Sequence, residues 1–166
     1  INATIASYMK GYSDPRSAVY FTTSKLGGDS PYMGMRSGLE GVKPATYSGY
    51  SMPNYEQKDD MLMFCAAETA FLRAEGALRG WDMGGSARDF YEQGVKLSFD
   101  QRKVSGADEY LANAVAVPEP FVDPVNPAKC NYTPKTKITI AWNEGASTEE
   151  KLERIITQKW IANFPL

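Results

Sequence analysis

The sequence predicts a mainly α protein of tetratricopeptide-like helical hairpins, with long irregular loops and minimal β-structure. Three observations predict it. Apolar residues recur at helical spacing, behind recognisable start signals, across residues 61–100 and 147–164. Two other stretches, 23–60 and 117–137, are rich in glycine, tyrosine or proline and hold no sustained period. Only Ile138–Trp142 alternates as a short strand would. A chain of 166 residues is long enough for one real core, so residues 1–166 are read as a single helical domain.

Taken in order, Ile5, Tyr8, Met9 and Tyr12 fall on one face of a first short helix. Asp14-Pro15 supplies an N-cap and a first helical position for a second turn. Ala18–Thr22 reads as extended and partly buried. Six of the fourteen glycines and four of the ten tyrosines lie in the loop 23–60. A structureless loop of that length is functional or disordered, and its aromatics argue against plain disorder.

Met61–Arg79 is the clearest helix, with Phe64, Ala67, Phe71, Ala74 and Leu78 on one stripe and Leu62, Ala66, Ala70 and Ala77 on a second. A helix apolar on two sides sits between neighbours. Gly80 is its natural stop. Ser86 and Asp89 open the partner helix, whose inner face is Ala87, Phe90, Tyr91, Gly94, Val95 and Ser98. The spacing Ala87-x3-Tyr91-x2-Gly94 resembles the second helix of a tetratricopeptide repeat, without a second copy in frame. Asp108–Ala116 adds a short helix. Five of the ten prolines then mark the loop 117–137. Ser147-x-x-Glu150 is a capping box, and behind it Leu152, Ile155, Ile156, Trp160 and Phe164 line one face of a strong helix.

Composition restricts the chemistry. With 18 basic and 20 acidic residues the chain makes no electrostatic case for nucleic acid. It has no histidine and two cysteines, which excludes histidine-activated nucleophiles and a structural zinc site. No cofactor or metal is expected, and no run is apolar enough to span a membrane. Glu68 and Glu75 share a helix face and could form a hydrolytic carboxylate pair, though an Arg-paired or solvated face is the commoner outcome. Cys65 reads as a small buried residue, and a bridge to Cys130 stays open in an oxidising compartment. Trp81 suits a sugar-stacking platform, and suits better the apolar residue that folds back behind a glycine C-cap. Gly80–Ser86 lacks the lysine of a phosphate loop and reads as a hairpin turn.

The strongest pointer to function is the tyrosine-rich loop. Pyranose rings stack on aromatic faces, and their hydroxyls need amide or guanidinium partners. Tyr32, Tyr47, Tyr50 and Tyr55 offer rings and Arg36 a planar donor fork. The alternative is that these tyrosines pin the loop to its scaffold.

Ile155-x-Thr157-Gln158-Lys159-Trp160-Ile161-Ala162 resembles the I-x-TQKW-I-A segment of the SusD/RagB nutrient-binding outer-membrane lipoproteins of Bacteroidetes. Three more segments agree in order: Met9-x-x-Tyr12-x-Asp14-Pro15-Arg16, Glu68-x-x-x-Leu72-Arg73-Ala74-Glu75 and Tyr91-x-x-Gly94-Val95-x-x-Ser98-Phe99. The resemblance implies a tetratricopeptide-like helical fold at the cell surface. The anchor would be an N-terminal lipid that this chain lacks. It implies a SusC-like TonB-dependent transporter as partner, and capture of oligosaccharides, or in some members peptides, without cleavage. The chain would be a C-terminal portion of such a protein, from a scaffold that continues beyond it. Trp160 is expected in the core, and Arg73 with Glu75 is expected to order helix packing. The family's ligand sites lie in variable loops, so Tyr32, Arg36, Tyr47, Tyr50 and Tyr55 remain candidates on the loop argument alone.

Overall fold

The computed structural model describes residues 1–39, 43–60 and 62–165. Among them lie seven α-helices in chain order: α1 Ala3–Gly11, α2 Ser17–Tyr20, α3 Ala66–Leu78, α4 Ala87–Gln101, α5 Ala107–Leu111, α6 Pro127–Cys130 and α7 Thr148–Ala162. A 3-10 turn spans Pro44–Tyr47, and β-structure among the described residues is limited to three isolated bridges. The chain groups into two compact units, one of residues 1–57 and 117–137, the other of 58–116 and 138–166.

In the first unit α1 starts where the Asn2 side chain accepts from the Thr4 N–H at 2.6 Å. Ile5, Met9 and Tyr12 are buried, as their spacing predicts, and the half-buried Tyr8 sets its ring edge-on to Tyr12. The backbone of Val117–Glu119 passes so close to Gly11 that any β-carbon there would collide with it. Asp14 caps the turn that Pro15 opens, as expected, while the N-cap of α2 itself is Arg16. The Asp14 carboxylate takes the Arg16 backbone N–H at 3.0 Å and the Arg16 guanidinium through Nε and a terminal nitrogen, and both side chains are fully enclosed. That pairing folds the chain into a turn, so α2 runs to Tyr20 where an extended segment was expected. The chain becomes extended only at Phe21, which bridges to Pro53.

The 23–60 segment is tied down by Met33 and Ser51, which exchange hydrogen bonds, and by an Asn2–Met35 bridge. The 117–137 segment closes on itself through a Phe121–Tyr132 bridge. Ala3, Ala6, Met33, Tyr50 and Phe121 form the core between these pieces.

In the second unit α3 and α4 form the predicted hairpin. Helix α4 begins with a complete Ser86/Asp89 capping box. The two helices cross closely at Gly94, where a β-carbon would lie 2.7 Å from the Phe71 ring. Helix α3 ends in a Schellman closure: Gly80 has φ +83°, its N–H donates to Ala77 O at 3.0 Å, and the Trp81 N–H donates to Gly76 O at 3.0 Å. Its start differs from the expectation. Cys65 is extended at the N-cap position and Phe64 lies outside the helix, 64% exposed. Met61 falls outside the described residues.

Helix α7 starts at the predicted capping box but buries a different face. Arg154, Ile155, Thr157, Gln158, Ile161 and Ala162 are buried, while Ile156 is exposed and Trp160 is 40% exposed. Trp160 is therefore not a core residue. Polar side chains can take the inner face because they find partners: Arg154 donates to the Thr139 carbonyl and hydroxyl, and Gln158 bonds the Tyr110 hydroxyl at 2.9 Å. Ile138–Trp142 is not a strand. Its Ile140 carbonyl accepts from the Tyr91 hydroxyl at 2.6 Å, and the Ala141 N–H donates to Asn113 O.

Candidate functional site

The tyrosine-rich loop folds against the proline-rich one. Tyr50 is 5% exposed, and its hydroxyl lies 2.8 Å from both carboxylate oxygens of Asp123. Asp123 is positioned by its own neighbours: its Oδ1 accepts from the Val125 and Asn126 N–H groups, and its N–H donates to the Asn131 side chain at 2.9 Å. Tyr47 stacks on Tyr50 with ring centres 5.2 Å apart, near the enclosed Cys130 thiol. Arg36 reaches the same segment, donating to the Asn131 carbonyl at 2.9 Å.

Burial, reinforced by the Asp123 carboxylate, pushes the Tyr50 phenol well above its ordinary value, so it stays a donor. Burial and the Cys130 thiol raise Tyr47 as well. Arg36, Tyr47 and Tyr50 therefore converge on residues 123–131, with Tyr50 enclosed and Arg36 exposed.

Of the other two candidates, only Tyr32 touches Phe21. Tyr32 is half-buried and edge-on to that ring at 5.8 Å. Tyr55 follows Pro53, the bridge partner of Phe21, and is 65% exposed. Sequence reasoning missed Asp123 as an organiser. The available signal was Asp123-Pro124 followed by Asn126, a turn signature in which the aspartate side chain binds the backbone ahead of it.

The second unit carries grooves along its helical hairpin. The first, of about 330 Å³ between α3 and α4, is lined by Phe64, Thr69, Arg73, Gln93 and Leu97 among others, with no carboxylate in its wall. The second, of about 460 Å³, runs along α4 and has Asp89, Glu92 and Asp100 in its wall beside Lys96. Glu75 pairs with Arg79 at 2.7 Å and Glu68 with Lys159 at 3.6 Å, so each acid has its own cation. That removes the basis for a Glu68/Glu75 hydrolytic pair. Arg73 bonds the Met83 carbonyl and lies over the Phe90 ring at 3.9 Å, so it orders the hairpin without Glu75. Cys65 and Cys130 are both buried free thiols. Among the described residues no cluster of three or more metal-ligating side chains occurs, and no helix is long and apolar enough to cross a membrane.

Solved structures place this fold. A SusD-like protein of Bacteroides thetaiotaomicron is 46% identical with a TM-score of 0.90, over 99% of this chain and 35% of that one. A chitin-binding SusD homolog of Flavobacterium johnsoniae is 47% identical with a TM-score of 0.92, over 99% of this chain and 34% of that one. A SusD homolog of Bacteroides uniformis is 47% identical with a TM-score of 0.90, over the same shares. The chain thus spans about a third of the length of the structures it matches. A comparison with curated proteins returned no match. The family model for SusD and RagB outer membrane lipoproteins matches residues 1–166, and with these structural matches it follows that the chain belongs to the SusD-like family.

Proposed function

We propose that this chain is part of a cell-surface lipoprotein that captures oligosaccharides, without cleaving them, for uptake through a SusC-like TonB-dependent transporter. The observation that carries the reading is 47% identity, across 99% of the chain, to a chitin-binding SusD homolog. In this reading the ligand meets the first unit at its exposed loop groups. Tyr55 and Tyr32 supply ring faces and Arg36 supplies hydrogen bonds to hydroxyls. Tyr50 contributes from the interior by fixing the loop on Asp123, with Tyr47 stacked on it.

Isothermal titration of the full-length protein against a panel of oligosaccharides, chitin fragments included, tests it. Saturable binding with no shorter products on chromatography is expected. Silence across the glycans together with binding of peptides would replace the glycan by a peptide. Silence toward both would favour a helical adaptor whose ligand is another protein.

A further inference from the structure

Trp81 is a prominently exposed aromatic of the second unit, and no part of the loop site uses it. Its backbone is locked by the Schellman closure, through the N–H bond to Gly76 O and the left-handed Gly80. Its ring folds back over Gly76, where a β-carbon would come within 3.3 Å of Cε3. The following loop is locked too. Arg73 holds the Met83 carbonyl at 2.8 Å, and the Asp82 carboxylate accepts from the Gly84 N–H at 3.2 Å. Despite folding back, Trp81 stays 63% exposed. The indole is thus presented by a rigid turn, and little ordering remains to oppose binding.

Its surroundings identify the ligand chemistry. From Arg79 to Ser86 every residue except Met83 is exposed, and the others besides Trp81 are Arg, Gly, Asp or Ser. A protein-binding hot spot sits inside a wider apolar patch that excludes water, and between Arg79 and Ser86 the turn adds only Met83 to Trp81. One aromatic face among small residues and charged hydrogen-bonding groups suits a sugar ring, whose C–H face stacks while its hydroxyls stay wet. Arg79, half exposed, and Asp82 are the hydroxyl partners nearest in sequence.

We infer that Trp81 is a second glycan-stacking platform, separate from the tyrosine loop, that takes one pyranose ring of an oligosaccharide. The inference rests on the glycan reading above. The test compares full-length wild type, Trp81→Ala and Trp81→Phe by titration with the oligosaccharide the wild type binds best, with thermal melts as a folding control. Trp81→Ala is expected to weaken binding about threefold to tenfold, as loss of one aromatic stacking contact implies. Trp81→Phe should keep most of the affinity, since a ring remains. Wild-type tryptophan fluorescence should change on saturation, and Trp81→Phe should reduce that change. Glycan binding by wild type with unchanged affinity in Trp81→Ala overturns this site and leaves the glycan reading standing. If Trp81→Ala fails to fold, a Trp81→Phe protein with an undiminished fluorescence change overturns it equally. Absence of any glycan binding by wild type overturns both.

Discussion

The Tyr50 hydroxyl and the Asp123 carboxylate meet at 2.8 Å across 73 positions of sequence, in the interior of the first unit. This contact joins the tyrosine-rich loop to the proline-rich loop, and with them the ground on which Arg36 and Tyr47 stand. Tyr50→Phe keeps the ring and its stack on Tyr47 but removes a hydrogen bond to a charged acceptor. The expected loss is roughly 1.5–3 kcal/mol, measured by urea unfolding. A loss indistinguishable from zero would show that Asp123 is satisfied by the Val125 and Asn126 N–H groups alone.

The same contact gives stability an alkaline limit. The folded state raises the Tyr50 phenol, and Tyr47 with it, above the ordinary 10.0. Stability from such a shift is fully present below the unfolded value and is lost as pH rises beyond it. Thermal melts should therefore fall progressively above pH 10.0, the ordinary tyrosine value. The Tyr47→Phe/Tyr50→Phe double variant should show a flatter alkaline limb, from a lower starting point.

Acid acts on the second unit through its helix caps. Ser86 hydrogen bonds hold Asp89 below its ordinary 3.8, and Ser147 holds Glu150 below its ordinary 4.5. Both acids then contribute stability that is present above those values and lost as pH falls through the lowered ones. Replacing Ser147 with Ala should cost about 1 kcal/mol at neutral pH and make the acid limb shallower. Melts from neutral pH down past the acids' ordinary values check both effects.

Gly94→Ala probes the α3–α4 crossing. Alanine favours a helix by roughly 1 kcal/mol over glycine, but the added β-carbon would sit 2.7 Å from the enclosed Phe71 ring. Overpacking of that kind costs about 1–3 kcal/mol. A net loss of stability is expected by chemical denaturation. A gain would mean that the two helices separate cheaply.

Local signals were legible where the chain satisfies itself. The Ser86 and Ser147 caps, the Gly80 stop and the close approach at Gly94 all depend on near neighbours in sequence or on residue size. Faces were legible only where burial follows polarity. Helix α7 defeats that rule, because Arg154 and Gln158 carry partners inward while Ile156 and Trp160 stay outside. Ile138–Trp142 alternates like a strand, yet the Tyr91 hydroxyl and the Asn113 carbonyl bind its backbone instead. In the loop, composition identified five candidates but could not sort them. The enclosure of Tyr50 depends on Asp123 and the partial burial of Tyr32 on Phe21, which lie far away in sequence or carry no sugar-binding signal of their own.

The central claim is non-catalytic glycan capture through the exposed groups of the tyrosine loop. Its most direct test is calorimetric titration of full-length wild type and Tyr55→Ala with the tightest-binding oligosaccharide of the panel. Saturable wild-type binding is expected, with a loss of about threefold to tenfold in Tyr55→Ala and an unchanged melting temperature. Equal affinity of the two proteins, or no glycan binding by either, would contradict it.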